Sequence, residues 1–188
     1  KTIGVARYGS QIAKLLNDEN FWSSANYSDT THIIISGRYD TQDLEALPKI
    51  LRKIISEGKV VSIASRIFEF PGEAGGFNMI DSLVFKHGDL FKYGLVSLIN
   101  EAYFAYSRNP KNDTVTYIND ELFELAAELE IFWFDRMLGF CDEVLTSCSA
   151  VSDELEKFIY DYGHLTLAGA QFTGQRQEFV DNLNRFIN

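Results

Sequence analysis

Short apolar runs alternate with stretches of helical spacing along the first part of the chain. Residues 2–6 form a β-prone run, and the spacing of Ile12, Leu15 and Leu16 after it predicts a helix. The continuous apolar run 32–37 ends in glycine, which is typical of a strand buried on both faces of a parallel sheet. This order of strand, helix and strand indicates an α/β protein.

The next segment predicts a strand–helix–strand unit. One apolar helix face is formed by residues three or four positions apart: Leu44, Leu47, Leu51, Ile54 and Ile55. Gly58 ends this helix, and the run 59–64 returns as a strand. Strands joined through a helix in this way are parallel, with a right-handed crossover, and we expect the same here.

The remaining pattern continues the alternation. The predicted elements are a helix at 90–106, a strand or strand-like start at 114–118, a helix at 120–129, and strands at 131–134 and 157–160. Asn119 or Asp120 is expected to cap the helix that follows them, and Thr166 is expected to cap a final helix. One face of that final helix carries four apolar side chains: Phe172, Phe179, Leu183 and Phe186.

A loop interrupts the periodicity at residues 69–78, which include Pro71 and several glycines. It follows the strand at 59–64, and loops at the carboxyl ends of parallel strands face the usual ligand crevice. The sequence holds no internal repeat and no linker. We therefore expect a single domain over residues 1–188, a three-layer α/β/α sandwich with a mostly parallel sheet.

Composition narrows the partners and the setting. The 188 residues include 17 Lys and Arg against 27 Asp and Glu, a formal net charge of -10, which argues against a nucleic-acid partner. No apolar stretch reaches the roughly 18 residues that a membrane span needs. Because the chain begins at Lys1 and enters a strand at once, we expect a piece of a longer protein, with any signal peptide or anchor upstream.

The two cysteines, Cys141 and Cys148, lie close together in a polar segment. Their spacing suits a local disulfide, which would stabilise the fold by about 2–3 kcal/mol. In a reducing compartment the same pair would be two ordinary thiols. Because no His residues lie nearby to complete a zinc site, we favour the disulfide over a metal site. A disulfide in turn favours an extracytoplasmic location.

Asp161 and His164 are the residues that most directly indicate chemistry. Acyl transfer needs a nucleophile, a base, and a carboxylate that fixes the tautomer of the base. If Tyr160 ends a strand and Thr166 starts a helix, the carboxylate of Asp161 can fold back onto the imidazole. Gly163 between them would relax the backbone of such a turn.

The surrounding segment 158–170, read FIYDYGHLTLAGA, resembles the last block of the SGNH hydrolase superfamily. In that block a D-x-x-H turn supplies the Asp and His of the catalytic triad. It is most similar to SGNH domains fused to, or partnered with, membrane acyltransferase-three proteins, which O-acylate bacterial surface polysaccharides. Those domains often read D-x-x-H-L-(S/T)-x-x-G-A here and carry a Cys pair upstream. The strand 33–37 with Arg38 and Tyr39, and the motif Gly58-Lys59-Val60-Val61, are similar to further family elements.

The resemblance assigns the nucleophile to Ser10, in the turn after the first predicted strand. The family has a G-D-S motif there, whereas this chain has Tyr8-Gly9-Ser10. The family also has a G-x-N motif whose Asn donates to the oxyanion. The aligned residues here are Gly37-Arg38-Tyr39, which lack the Asn. Backbone N–H groups near Ser10 and Gly37, or the guanidinium of Arg38, would then stabilise the oxyanion.

The function implied by the resemblance is transfer of an acyl group, most simply acetyl, through Ser10 to a carbohydrate hydroxyl, with no cofactor or metal. A membrane acyltransferase domain would deliver the acyl group, and the location would be periplasmic or at the cell surface. A carbohydrate O-acetyl esterase with the same residues is an alternative. Because Gly9 replaces the family Asp, a catalytically silent module that binds glycan or protein is another.

Plainer roles stay open for each of these residues. Asp161 could cap a helix beside a surface histidine, Ser10 could be a helix N-cap, and Arg38 could pair with a nearby aspartate. His32 and His87, the latter in a polar loop, are expected to be structural. The aromatic stretches at 103–106 and 132–134 are expected in the core, whereas an exposed Trp22 or Tyr27 could stack on a saccharide.

Overall fold

The computed structural model describes residues 12–69, 77–109, 113–142, 146–161 and 163–187. Within them the protein is mixed α/β, with a small open sheet of three parallel strands. The strands are β1 (His32–Ile35), β2 (Val60–Ala64) and β3 (Phe132–Phe134). The α-helices are α1 (Glu19–Trp22), α2 (Ala25–Ser28), α3 (Thr41–Ser56), α4 (Met79–His87), α5 (Lys92–Ser107), α6 (Asp113–Glu128), α7 (Leu167–Gln175) and α8 (Gln177–Ile187), with 3₁₀ helices at Ile12–Asn17 and Arg136–Gly139.

The predicted strand–helix–strand unit is confirmed. β1 and β2 pair in parallel, with His32 opposite Val60, and β3 adds to the other edge of β2, with Ser62 opposite Phe132. Residues 61–64 of β2 are all buried, whereas β1, at an edge of the sheet that the described residues form, is only half-buried in its middle. Burial on both faces therefore describes β2 and not β1, for which it was expected.

The helix between β1 and β2 begins and ends as its sequence requires. Asp40 accepts hydrogen bonds from the backbone of the first turn of α3, and Asp43 bonds back to the N–H of Asp40, which completes a capping box. Leu47 and Ile50 on the apolar face are 0% exposed. Gly58, with φ of 76°, stands just beyond the last turn in the left-handed conformation that glycine adopts without strain.

The described residues divide into two compact units. The first consists of 12–66, 114–135 and 183–187, and holds the sheet, α3, most of α6 and a continuous apolar core. The second consists of 67–69, 77–109, 113, 136–142, 146–161 and 163–182, and holds α4, α5 and α7. The expectation of a single domain stays a prediction.

The predicted strand at 114–118 is wrong, because this segment is the first part of α6. Val115, Ile118 and Leu122 follow each other at spacings of three and four and are all buried, so burial along a helical face overrides the local β-propensity. Asn119 and Asp120 consequently lie inside the helix and do not cap it. The carboxamide of Asn119 instead bonds the backbone N–H and carbonyl of Arg66.

The predicted final helix is two helices. Arg176 has extended backbone angles between α7 and α8, and its guanidinium donates to the carbonyl oxygen of Cys141 at 2.7 Å. The expected common face is divided as a result. Phe172 of α7 stacks on Phe158, whereas Phe186 of α8 packs edge-on against His32 and Phe132.

Other predictions need correction near the second unit. Residues 157–160 form isolated antiparallel bridges and do not join the parallel sheet. Residues 79–87, for which no element was predicted, form the helix α4, and His87 is its last residue, where a polar loop was expected. The predicted strand at 2–6 and most of the glycine-rich loop, residues 70–76, lie outside the described residues.

Trp22 and Tyr27 are not an exposed platform. Tyr27 is 5% exposed, and the half-buried Trp22 meets its ring edge-on while donating from Nε1 to the carbonyl of Leu15. His32 is buried, and its Nδ1 lies 2.9 Å from the hydroxyl of Thr31, which agrees with a structural role.

Candidate functional site

The Asp161–His164 segment is a tight turn closed by backbone hydrogen bonds. Ile159 and Leu165 form an antiparallel bridge, and the N–H of Tyr160 donates to the carbonyl of His164 at 3.0 Å. Tyr162, within the turn, lies outside the described residues. The turn is therefore a short hairpin end in the second unit, and not the end of a sheet strand as expected.

The two carboxylate oxygens of Asp161 have different partners. Oδ1 accepts the backbone N–H groups of Gly163 and His164 at 3.0 and 2.9 Å. Oδ2 lies 2.7 Å from Nδ1 of the His164 ring. The backbone bonds fix the carboxylate in the turn, so that its second oxygen is held against the imidazole.

These bonds also set the charge of Asp161. Partial burial raises the pKa of its carboxyl, but the N–H groups of Gly163 and His164 and the nearby imidazole lower it by more, and the pKa falls from 3.8 to about 2. Asp161 is therefore an anion at neutral pH. An ionised carboxylate can only accept hydrogen bonds, so the short contact requires a proton on Nδ1.

With its proton on Nδ1, the neutral imidazole of His164 carries its basic electron pair on Nε2. This is the tautomer that a general base of the serine-hydrolase type requires. The His164 side chain is 51% exposed and that of Asp161 is 32% exposed, so the base half of the pair is open to solvent. The arrangement is competent to accept a proton from a neighbouring hydroxyl and return it.

Asn78 anchors the turn from the N-terminus of α4. Its Oδ1 caps the helix by accepting the N–H of Asp81 at 3.1 Å. Its Nδ2 donates to the carbonyl of Asp161 at 3.0 Å and to that of Ile159 at 3.3 Å. Asn78 is 3% exposed, so these bonds are shielded from water and one carboxamide joins the helix start to the turn.

A partly buried ion pair supports the same connection. Nζ of Lys157 lies 2.7 Å from Oδ1 of Asp81, and it also approaches the carbonyl of Tyr160 at 3.4 Å. The other oxygen of Asp81 accepts the N–H of Asn78. The carbonyls of Ile159, Tyr160 and Asp161 thus all accept hydrogen bonds from the side chains of Asn78 and Lys157.

Two neighbours shape the surface beside the histidine. The ring of Tyr160, 56% exposed, stacks beside the imidazole with centroids 5.7 Å apart and planes 20° from parallel. A Cβ at Gly163 would lie 3.4 Å from Cγ of Glu69, a close but ordinary contact.

Thr166 caps α7 as predicted, since its hydroxyl accepts the N–H of Gly169 at 3.0 Å. Its N–H donates to the carbonyl of Phe158, and its hydroxyl also donates to the carbonyl of Lys157. Because Thr166 is the cap, the alternative role of Asp161 as the cap of this helix is excluded. The chain thus passes from the turn into α7 through a fixed cap.

Two of the remaining predicted site residues belong to the first unit. Gly37 and Arg38 follow β1 in the first unit, at the carboxyl end of the strand, with Arg38 exposed. A Cβ at position 37 would lie 2.7 Å from Cδ1 of Ile12, so a small residue suits this point. Ser10 lies outside the described residues.

Cys141 and Cys148 are joined in a disulfide, and both are buried. The N–H of Ser149 donates to the carbonyl of Phe140, which continues the pairing beside the bridge. The carbonyl of Cys141 also accepts the guanidinium of Arg176, so the disulfide loop is tied to the break between α7 and α8.

Sequence reasoning missed Asn78, Lys157 and Tyr160 as neighbours of the turn. An Asn followed three residues later by Asp81, ahead of an apolar helical pattern, is a capping-box signal and could have located the start of α4. No local pattern shows that the same Asn reaches a segment 81 to 83 residues further on.

Comparisons with protein-family models, with curated proteins and with solved structures found no match to this chain. Among the described residues, no group of three or more His, Cys, Asp or Glu side chains is arranged to hold a metal ion. None of the helices in that part of the chain is both long and apolar enough to cross a membrane.

Proposed function

We propose that the chain is a serine-type O-acyltransferase domain that transfers an acyl group, most simply acetyl, to a hydroxyl of a bacterial surface or secreted carbohydrate. The observation that carries the proposal is the 2.7 Å contact between Oδ2 of Asp161 and Nδ1 of His164, with Oδ1 held by two backbone N–H groups. Such an anchored carboxylate and exposed imidazole form the acid–base half of a catalytic triad.

In the proposed reaction, Oγ of Ser10 attacks the carbonyl carbon of the acyl donor while Nε2 of His164 takes the hydroxyl proton. The proton passes to the leaving group as its bond to the acyl carbon breaks. The carbohydrate hydroxyl then attacks the acyl-serine and gives its proton to His164. The bond between Oγ of Ser10 and the acyl carbon breaks, and the proton returns from His164 to Oγ. Asp161 stabilises the imidazolium in both steps, and the Gly37 N–H or the Arg38 guanidinium is assigned to the developing oxyanion.

The finer fold assignment belongs to the same proposal. We assign the chain to a three-layer α/β/α sandwich of the SGNH, flavodoxin-like type. The parallel order β1-β2-β3, with a helix between β1 and β2, supports it. The Cys141–Cys148 disulfide supports the proposed periplasmic or cell-surface location, where a membrane acyltransferase domain would deliver the acyl group.

Two other functions use the same residues differently. With water as the acceptor, the site would be a carbohydrate O-acetyl esterase. The sequence Tyr8-Gly9-Ser10, in place of a G-D-S turn, favours a silent module that binds glycan or protein without chemistry. The esterase and the transferase separate by their products when a sugar acceptor is added, and the silent module separates from both by the absence of an acyl-enzyme.

The test combines hydrolysis of an aryl acetate with labelling by a fluorophosphonate probe. We expect Ser10→Ala to abolish labelling, and His164→Ala and Asp161→Asn to lower kcat about a thousandfold or more. Ser97→Ala is the matched control, because this exposed serine on α5 donates its hydroxyl to Glu101, one turn further along the same helix. It should label and turn over as the natural chain does.

Two results would overturn the proposal. Folded protein that neither labels nor hydrolyses the ester would point to the silent module. Full turnover in His164→Ala would remove the imidazole from the mechanism, whatever the behaviour of Ser10→Ala.

A further inference from the structure

The connection between α4 and α5 carries the most exposed aromatic side chains of the described residues. Phe85 is 91% exposed, Phe91 is 92% exposed and Tyr93 is 78% exposed. Val84 and Leu90 beside them are 40% and 44% exposed. Large apolar side chains this open to water, and this close in sequence, indicate a surface that binds something apolar.

The segment 84–94, here called the aromatic tip, belongs to the second unit and is open to solvent throughout. None of its residues is buried, and each is exposed or half-buried along the whole turn from α4 into α5. An unbroken run of this kind is an open surface and not a closed pocket. A broad, soft partner suits such a surface better than a narrow ligand.

The charges of the aromatic tip differ from those of the whole chain. The chain has a formal net charge of -10, but the tip holds Lys86, Lys92 and His87 against a single acidic residue, Asp89. Lys92 also pairs with Glu154. At physiological salt, charges more than about 8 Å away are largely screened, so a partner at the tip meets the local lysines more strongly than the distant carboxylates.

We propose that the aromatic tip binds the surface of a lipid bilayer. Phe85 and Phe91 enter the boundary between headgroups and acyl chains, Tyr93 lies at headgroup level, and Lys86 faces lipid phosphates while Lys92 keeps its pair with Glu154. Aromatic rings flanked by lysines are the side chains that partition best to this boundary. The inference does not depend on the acyl-transfer chemistry.

A second copy of the chain fits this surface less well. Two tips placed face to face would offer each Lys86 only Asp89 of the other copy as an anion, because Lys92 and Glu154 already pair within each copy. A bilayer offers apolar depth and many phosphate anions side by side, which matches the adjacent side chains of Phe85 and Lys86.

The experiment uses the whole chain with extruded vesicles, either of phosphatidylcholine alone or of phosphatidylcholine mixed with phosphatidylglycerol. We expect the chain to sediment with the mixed vesicles, and Phe85→Ser/Phe91→Ser to lower partitioning at least about tenfold. Tyr117→Ser is the matched control, because this side chain is 52% exposed on α6, and it should bind as the natural chain does. Circular dichroism checks that each variant is folded.

A tryptophan at the tip reports insertion directly. The emission of Phe91→Trp should shift to the blue on adding vesicles and be quenched by brominated acyl chains, after subtraction of the signal from the natural chain. No sedimentation with either vesicle, or equal binding by the double variant, would overturn the proposal. Vesicle binding that high salt abolishes, without any shift in the tryptophan emission, would also overturn it. So would a chain that does not bind vesicles but forms a dimer that the double variant disrupts and Tyr117→Ser does not.

Discussion

The three-stranded sheet and the Asp161–His164 turn are stabilised by different kinds of interaction. β2 lies between two parallel partners with residues 61–64 buried, and α3 adds fully buried leucine and isoleucine side chains to the same core. The turn has a half-exposed histidine and depends on the carboxamide of Asn78 and on the carboxylate of Asp161 itself.

Because of this difference, the sheet region should determine the free energy of unfolding, and the turn should determine the position of the His164 side chain. Apolar burial is non-directional, so a loss in the sheet region costs free energy wherever the atoms are removed. Hydrogen bonds are directional, and each one in the turn joins a particular donor to a particular acceptor. Changes in the turn should therefore cost less free energy of unfolding than changes in the core, but should move the histidine more.

The largest effect is expected for Leu47→Ala in the first unit. Leu47 is 0% exposed, so the change leaves a cavity and should lower the free energy of unfolding by about 3 kcal/mol, as measured by urea denaturation. Glu45→Ala, exposed on the same helix, is the control and should stay within about 0.5 kcal/mol. A loss below about 1 kcal/mol for Leu47→Ala would show that this core is not closely packed.

A smaller effect is expected for Asn78→Ala, which should lower the free energy of unfolding by about 2 kcal/mol. The change removes a helix cap and two hydrogen bonds to buried or half-buried carbonyls. Asn78→Ser is the matched control, since serine keeps the cap but does not reach the turn. Amide exchange at Gly163 and His164 should quicken in both variants. Exchange unchanged in the serine variant would show that the carboxamide does not position the turn.

The smallest effect concerns pH. The pKa of Asp161 is lower in the folded chain than in the unfolded chain, so its contribution to stability is present above about pH 4 and is lost as the pH falls through about 2. After allowance for solvent screening, this contribution is about 1 kcal/mol or less. Urea denaturation of the natural chain and of Asp161→Asn should converge over that interval, and a constant difference down to pH 2 would contradict the assignment.

The parts of the fold predicted from the sequence are those that local periodicity encodes. The alternation around Leu47 and the glycine at 58 located α3, and the apolar runs located all three strands of the described sheet. The strand predicted at 114–118 was wrong because β-branched residues there also have helical spacing. Burial decided the outcome, and burial depends on partners that are distant in sequence.

In the candidate site, too, the sequence predicted the local interactions and not the distant ones. The D-x-x-H spacing identified Asp161 and His164, whose interaction is local, and the cysteine spacing identified the disulfide. Asn78 and Lys157 were not identified, because their bonds to the turn and to α4 join segments 76 to 83 residues apart. A capping motif indicates that a helix starts, but not what else its side chain touches.

Gly169, in the first turn of α7, lies directly against the backbone of Phe158, in the segment that leads into the turn. A Cβ at this position would lie 2.1 Å from the carbonyl oxygen of Phe158 and within 3 Å of two further backbone atoms. Backbone atoms cannot rotate aside as a side chain can, so α7 reaches this distance from the turn only with glycine there. Any distant relative that docks the two segments in the same way must keep glycine at this point, even where its chemistry has been lost. The glycine is thus a criterion of the same packing that is independent of the reacting groups.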